Sequence, residues 1–304
     1  KLGYIKRVPL TQYKAQSRGG KGSLSATLIE GDYINQIFTA TTKSFITFFT
    51  NAGKVYWIKV HEIPEASRSS RGSSVKSLIQ LSPDEEISTI VTMKDYTDQQ
   101  YIFMSTANGT VKKCKTTEFA NAKTRGVIGI KLHDGDHLVS AMLTSGNDDA
   151  MLITRKGQAL RVSEESVRPM GRASSGVTGI RLASGDEVAA AISVEQNKDA
   201  LVITEKGYGK RVGFDEFGKH GRGTGGQKIF GNIEGKGEII GAIAVSETDE
   251  VICMSGQGKT LRVSAAMISK QGRASSGTRI INIDEPDYVV GFDKVANEDE
   301  KDKE

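Results

Sequence analysis

Residues 150–163 read AMLITRKGQALRVS, and after a short polar stretch residues 172–182 read RASSGVTGIRL. The first segment is two apolar-rich runs around a Thr-x-x-Gly turn. That is a β-hairpin signal, because glycine accepts the positive φ that tight hairpin turns demand. The second is a basic Gly/Ser loop opening into another short apolar run. Both segments recur. The turn glycine returns as Gly3, Gly53, Gly109, Gly157, Gly207 and Gly258, a period of roughly 50 residues, which is the spacing of blade-like repeats. Four residues after these glycines stand Arg7, Trp57, Lys113, Arg161, Arg211 and Arg262, basic at every place but Trp57. The loop has six copies, beginning at Arg18 (RGGKG), Arg71 (RGSS), Arg125 (RGVIG), Arg172 (RASSG), Arg222 (RGTGG) and Arg273 (RASSG).

Each unit holds four strand-sized runs; in one they are Val177–Leu182, Glu187–Ser193, Ala200–Thr204 and Tyr208–Phe214. No long amphipathic helix interrupts them, so the reading is all-β. The period predicts a six-bladed, propeller-like array with four strands per blade, a form that hides sheet edges by closing on itself. The sixth loop leads only to Tyr288–Val295, whereas the chain starts with half a hairpin, Gly3-Tyr-Ile-Lys-Arg-Val8. From this phase the N-terminal strand is expected to complete the last blade and close the ring. The alternative is an open solenoid.

Composition narrows the class. The 304 residues are 37% hydrophobic, enough for a core, and no apolar run approaches the ~18 residues of a membrane helix. Two cysteines, Cys114 and Cys253, without C-x-x-C spacing, point to a reducing cytoplasm rather than a disulfide scaffold. The first residue is Lys1, so the chain is expected to be a fragment of a longer protein. The net charge of +4 hides an asymmetry: residues 297–304 (NEDEKDKE) carry five acids and two lysines, which leaves +7 on residues 1–296. A basic body with a short acidic, disordered tail suits a polyanion-binding protein. The domain is accordingly set at residues 1–296, the tail at 297–304.

The first loop, Gln16-Ser17-Arg18-Gly19-Gly20-Lys21-Gly22, resembles the Gln-Arg-Arg-Gly-Gly-Arg/Lys-Gly box of the DNA gyrase A C-terminal domain family. Ser17 stands where that family usually has Arg. The sixfold pattern of Arg-x-x-x-Gly loops and Thr-x-x-Gly hairpins is similar to that family from residue 1 to 296. The resemblance implies a β-pinwheel whose blades exchange strands, and a rim that wraps duplex DNA so that the parent enzyme introduces negative supercoils. It also implies that the cleavage tyrosine and the ATPase lie outside this chain. The partners implied are double-stranded DNA and the rest of the gyrase A subunit with the B subunit in an A2B2 enzyme; the isolated domain is expected to be monomeric.

Six basic loops at one phase of an array form a belt of positive charge. Its candidate DNA-binding residues are Gln16, Ser17, Arg18, Gly19, Gly20, Lys21, Gly22, Arg68, Arg71, Lys123, Arg125, Arg168, Arg172, Lys219, Arg222, Lys270 and Arg273. Neighbouring Gly and Ser allow close approach to phosphate oxygens, and such contacts position DNA without reading its sequence. No recognition helix is discernible.

Other motifs read as scaffold. His133-Asp134-Gly135-Asp136-His137 looks like a metal site, yet it aligns with turns that lack His, such as Ala183-Ser-Gly-Asp-Glu187. Gly19-Gly-Lys-Gly-Ser23 has Gly22 rather than Ser or Thr after its lysine and no following helix, against a nucleotide-binding loop. Asp84-Glu85-Glu86, Asp148-Asp149 and Glu164-Glu165 sit in polar connections and are expected to be solvated. No catalytic residue, cofactor or metal is assigned. The basic residues four places after the turn glycines could contact DNA or lie along an outer sheet face, and Trp57 is expected to pack between blades. The alternatives for function are the C-terminal domain of topoisomerase IV and a protein-interaction propeller.

The first loop alone combines Arg, Lys and three glycines within five residues. Replacing Arg18 and Lys21 together by Ala is therefore expected to abolish the change in linking number when nicked circular DNA is ligated with the protein. Replacing Lys123 and Arg125 should weaken it less; equal damage from the two pairs would remove the special role of the first loop.

Overall fold

The structure is a computed structural model and describes residues 3–9, 40–67, 70–257 and 259–295. Its strands follow the sequence repeat, each unit running from one hairpin to the next. The first unit gives β1 (Tyr4–Ile5). The second gives a hairpin, β2 (Phe45–Thr50) and β3 (Lys54–Lys59), then the two-residue β4 (Ser73–Ser74) and β5 (Ile87–Met93). The third repeats the order with β6 (Tyr101–Thr106), β7 (Thr110–Lys115), β8 (Val127–Ile128) and β9 (Leu138–Thr144). The fourth has β10 (Asp149–Thr154), β11 (Gln158–Ser163), β12 (Val177–Thr178) and β13 (Val188–Ser193). The fifth has β14 (Asp199–Thr204), β15 (Tyr208–Gly213), β16 (Gln227–Lys228) and β17 (Ile239–Val245). The sixth has β18 (Glu250–Ser255), β19 (Thr260–Ser264), β20 (Thr278–Arg279) and β21 (Val289–Val295).

A unit is not a blade. The sheets run β5-β2-β3-β8, β9-β6-β7-β12, β13-β10-β11-β16, β17-β14-β15-β20 and β21-β18-β19. Each of the first four blades takes three strands from one unit and its short fourth strand from the next, as in the Lys54–Ile128 pairing. This corrects the sequence reading on two points. The described residues form five blades, not six, and the last has three strands. The N-terminal strand β1 does not complete that last blade; it pairs with β4 through Tyr4–Ser74 and Ile5–Ser73. The physical reason is that the second strand of each of the first four hairpins is finished by the basic-loop strand of the following unit, and β1 obeys the same rule.

The Thr-x-x-Gly hairpins share one construction. Gly53, Gly109, Gly157 and Gly207 have φ between +73° and +87°. The hydroxyls of Thr50, Thr106, Thr154, Thr204 and Ser255 each accept the N–H four residues on, at 3.1–3.3 Å. A register shift falls at that same Thr or Ser in all five blades. The turn carbonyl then reaches the next unit: Gly53 accepts from Gly129 and Ile130, and Gly109 from Gly179 and Ile180. A β-carbon on Gly53 would lie 2.6 Å from the Ile130 carbonyl oxygen, so the turn needs glycine for its close contact as well as for its φ.

The apolar core lies between blades. One cluster joins Phe49, Val55 and Val91 to Ile102, Met104 and Phe119; the next joins Phe103 and Val111 to Leu152, Leu160 and Val188. The middle strands β10 and β14 are buried along their whole length. Burial raises the Cys114 thiol to about 11 and the Cys253 thiol to about 12.

The residue four places after the turn glycine clasps the next unit in the first five repeats. Arg7 Nε donates to the Ile63 carbonyl at 3.2 Å, Lys113 Nζ to Glu164 at 2.8 Å, Arg161 Nη1 to Phe214 at 3.1 Å and Arg211 Nε to Ile268 at 2.9 Å. Trp57 occupies the same place in the pattern, and its indole N–H donates to Phe119 and Ala120. Packed edge-on against Phe45 and tilted towards Tyr96, it lies between blades as expected. Arg211, 5% exposed, also pairs with Asp199 at 3.1 Å. Removing one member of a buried pair strands the other, so Arg211→Ala is expected to lose about 3 kcal/mol of unfolding free energy. Arg262→Ala, at an exposed pair with Glu250, should lose about 1 kcal/mol or less. Urea unfolding of the two variants checks both.

Candidate nucleic-acid interface

The long strands β5, β9, β13, β17 and β21, one from each blade, pack successively against one another, while β8, β12, β16 and β20 form the opposite edge of their sheets. The basic loops lead directly into those edge strands, so they lie on the outer rim. Each ends on a glycine of positive φ: Gly72, Gly126, Gly176, Gly226 and Gly277. These glycines face inward. A β-carbon would come within 2.5 Å of the Ile5 carbonyl oxygen at Gly72, 2.3 Å of the Tyr56 ring at Gly126 and 2.5 Å of the Val111 carbonyl oxygen at Gly176. Their requirement is packing against the preceding unit, not approach to a ligand.

Arg71, Lys123, Arg125, Arg168, Arg172, Lys219, Arg222 and Lys270 are exposed and Arg273 is half-buried. Their surroundings differ. Arg71 lies over the Tyr4 ring at 4.4 Å, a cation–π contact that fixes it against β1. Arg222 donates to the carbonyls of Ser166 at 3.2 Å and Thr178 at 3.3 Å, which ties its loop to the one before. Lys219 and Lys270 pair with Asp149 and Asp199, each at 2.9 Å. Each of those aspartates also holds the clasp arginine of its own hairpin. Lys123 has φ 44°, and its carbonyl accepts the Trp57 N–H. Gln16, Ser17, Arg18, Gly19, Gly20, Lys21, Gly22 and Arg68 lie outside the described residues, as does the tail 297–304.

Two buried cations that the repeat pattern did not single out stand directly beneath the rim. The Lys112 and Lys210 side chains point at the loops of Arg172 and Arg273, and both residues are fully buried. Desolvation lowers both ammonium groups from their ordinary value, that of Lys210 to about 8, so at neutral pH Lys210 keeps its charge. The signal available in sequence was a lysine three places after the turn glycine, in a row of otherwise apolar strand positions.

The polar motifs set aside above are structural. Asp136 Oδ1 accepts the N–H groups of Asn108 and His137; Asp186 likewise accepts from Lys156 and Glu187, and Asp287 from Gln257 and Tyr288. Among the described residues no group of His, Cys, Asp or Glu is arranged to hold a metal ion. Not all of the carboxylates expected to be solvated are so. Glu85 is buried and accepts from Thr50, Tyr56 and the Ser82 N–H. Buried Glu164 accepts from Thr144, Gly146 and Asp148. Each closes a loop over its own blade edge. Among the described residues no helix is long and apolar enough to cross a membrane.

A family model described as DNA gyrase C-terminal domain, beta-propeller, matches residues 1–41, 44–92, 100–145, 148–195, 198–246 and 249–296. The six matched segments are sequence repeats; the first falls mostly outside the described residues. The chain is 61% identical over 291 residues to the A subunit of DNA gyrase from Treponema pallidum (strain Nichols), covering 96% of this chain and 36% of that protein. It is 40% identical over 294 residues to the A subunit of DNA gyrase from Escherichia coli (strain K12), covering 97% of this chain and 34% of that protein. The chain thus spans about a third of the length of the relatives it matches. A solved structure of a DNA gyrase A C-terminal domain superposes with a TM-score of 0.81 at 33% identity, covering 97% of each chain. The C-terminal domain of DNA topoisomerase IV superposes with a TM-score of 0.82 at 26% identity, covering 97% of this chain and 91% of that one.

The glycine geometry yields a local check on the rim. Gly176→Ala places a β-carbon against the Val111 carbonyl at a φ of +90°, and is expected to cost about 2–3 kcal/mol. Gly171→Ala, on the other side of Arg172 with open space around it, should leave the melting temperature unchanged.

Proposed function

Because the chain belongs to the DNA gyrase C-terminal domain family, we propose that it binds, bends and wraps double-stranded DNA along its outer rim without reading base sequence. The observation that carries this reading is the recurrence of an Arg-initiated loop at the outer edge of successive blades, with cations exposed at each described copy. Bending a duplex over a short path costs several kcal/mol, roughly 1–6 for a site of 20–30 base pairs. Many phosphate contacts spread along a rim can offset that, because each releases condensed counterions. The residues assigned to DNA are Arg71, Lys123, Arg125, Arg168, Arg172, Lys219, Arg222, Lys270 and Arg273, with Arg68 and Gln16–Gly22 at the start of the path. Lys219 and Lys270 reach phosphate while their aspartates keep them in place, so their contribution is smaller.

Residues 1–296 act as this wrapping domain and residues 297–304 as an acidic appendage that competes with phosphate. The chain is non-catalytic; cleavage and ATP hydrolysis belong to the rest of a cytoplasmic gyrase, the A and B subunits in an A2B2 enzyme. Wrapping in one sense then gives that enzyme its direction of supercoiling. The likeness to the topoisomerase IV domain favours a second reading, a domain that binds DNA without introducing supercoils. Higher identity to the gyrase relatives and a nearly intact first loop support the first.

Duplex affinity measured against salt should give a slope of log K on log salt of about −5 or steeper, as neutralisation of six phosphates requires. Ligating nicked circular DNA with the protein should raise its linking number. A shallow slope, or an unmoved linking number, would go against the wrap.

A further inference from the structure

The residues three places after the turn glycines are Lys6, Tyr56, Lys112, Leu160, Lys210 and Leu261. Lysine occupies every second place. The loops facing these lysines carry serine two places before their positive-φ glycine, at Ser70, Ser174 and Ser275, whereas those facing Tyr56 and Leu160 carry Thr124 and Thr224 there. A strand position and a loop some sixty residues later therefore change together, as parts of one device would.

The contacts show the device. Lys210 Nζ donates to the carbonyls of Gly272 at 2.7 Å, Arg273 at 2.9 Å and Ser275 at 3.0 Å. Lys112 Nζ donates to the carbonyls of Arg172, Ser174 at 3.0 Å and Gly129 at 2.8 Å. Lys6 Nζ donates to Ser70 at 2.8 Å and Ser67 at 3.2 Å. Among the described residues no carboxylate lies within ion-pair distance of Lys112 or Lys210. Glu118 and Glu216 instead accept the Arg172 and Arg273 N–H groups, at 3.4 and 2.7 Å. A buried ammonium without a counter-anion is costly; here the loop carbonyls stabilise it. In a trans peptide the C=O of one residue and the N–H of the next point opposite ways. Drawing the carbonyls of residues 172, 174, 273 and 275 inward therefore turns the N–H groups of Ala173, Ser175, Ala274 and Ser276 outward. None of the four donates to a protein acceptor among the described residues. In each loop the two outward N–H groups thus lie on alternate residues, the one between them donating to Gly171 or Gly272. They stand over a buried positive charge and offer donors of the kind that hold anions in main-chain concavities.

We propose that the loops of Arg172 and Arg273 are main-chain phosphodiester sites, preorganised from beneath by Lys112 and Lys210. The loops of Arg125 and Arg222 between and beside them meet DNA through side-chain charge alone. The rim then grips the duplex at alternating strong and weak points. Lys112 and Lys210 are positioning residues: fully buried, they cannot touch DNA themselves. This rests on the DNA-binding reading above.

The test is an amide-resolved NMR titration of the whole chain with a short duplex, alongside Lys112→Met and Lys210→Met singly and together. Leu160→Met serves as the matched control. With wild type, the Ala173, Ser175, Ala274 and Ser276 amides should shift more than those around Arg125 and Arg222. In the folded double variant those shifts should vanish, Kd should rise about tenfold at moderate salt, and the log K–log salt slope should shrink by about 2, one phosphate per loop. Leu160→Met should change none of these. If the duplex binds wild type and the four amides stay still, the proposal is overturned while DNA binding stands. The same holds if a folded double variant binds with unchanged Kd and slope. If wild type binds no duplex, the DNA-binding reading falls and this one with it. Should the Met variants fail to fold, the wild-type amide shifts decide.

Discussion

Every feature of this molecule depends on backbone donated from one unit to the one before it. The turn-glycine carbonyls of the hairpins at Gly53, Gly109, Gly157 and Gly207 accept N–H groups from the following unit, and each hairpin's second strand is then covered by that unit's short strand, as Lys54 pairs with Ile128 and Gln158 with Lys228. A single unit would leave both the hairpin edge and the apolar faces of its strands exposed, which is the liability that propeller architectures remove. Stability is thus shared: the core clusters, the sheet edges and the rim loops all span two units.

The same constraint sorts the cations by depth. Those on the strand after the turn reach forward to the carbonyls of the next unit and leave solvent: Arg211 and Lys113 are nearly buried. Those on the loops are carried past the sheet edge and stay accessible. Charge on one repeat therefore divides into an inner layer that holds blades together and an outer layer available to a polyanion. The carboxylates follow suit. Asp149 and Asp199 bridge an inner arginine and an outer lysine, so they couple blade contact to rim charge and reduce what Lys219 and Lys270 can give to a ligand.

Much was legible in the residues themselves. The hairpins, the all-β class and the recurring loops were readable because turn chemistry is local: a hydroxyl four residues from an N–H, and a glycine where φ is positive, leave their mark within one short stretch. The four runs read in one unit correspond to β12, β13, β14 and β15 to within a few residues. Loop positions were legible for the same reason, and so was the inert turn at His133–His137, whose aspartate has counterparts that lack histidine.

What tertiary structure alone decided is which distant partner each residue meets. Nothing near β1 says that it pairs with Ser73 and Ser74 rather than finishing the last blade, or that the described chain makes five blades from its repeats. Nothing near Lys112 or Arg161 says that one is buried under a loop sixty residues on and the other held by carbonyls more than fifty residues on. Both look like exposed strand lysines and arginines, since a basic side chain in an alternating strand ordinarily snorkels to solvent. Periodicity specifies which face a residue takes within its own strand; whether that face meets water or the next unit is fixed only when the blades stack.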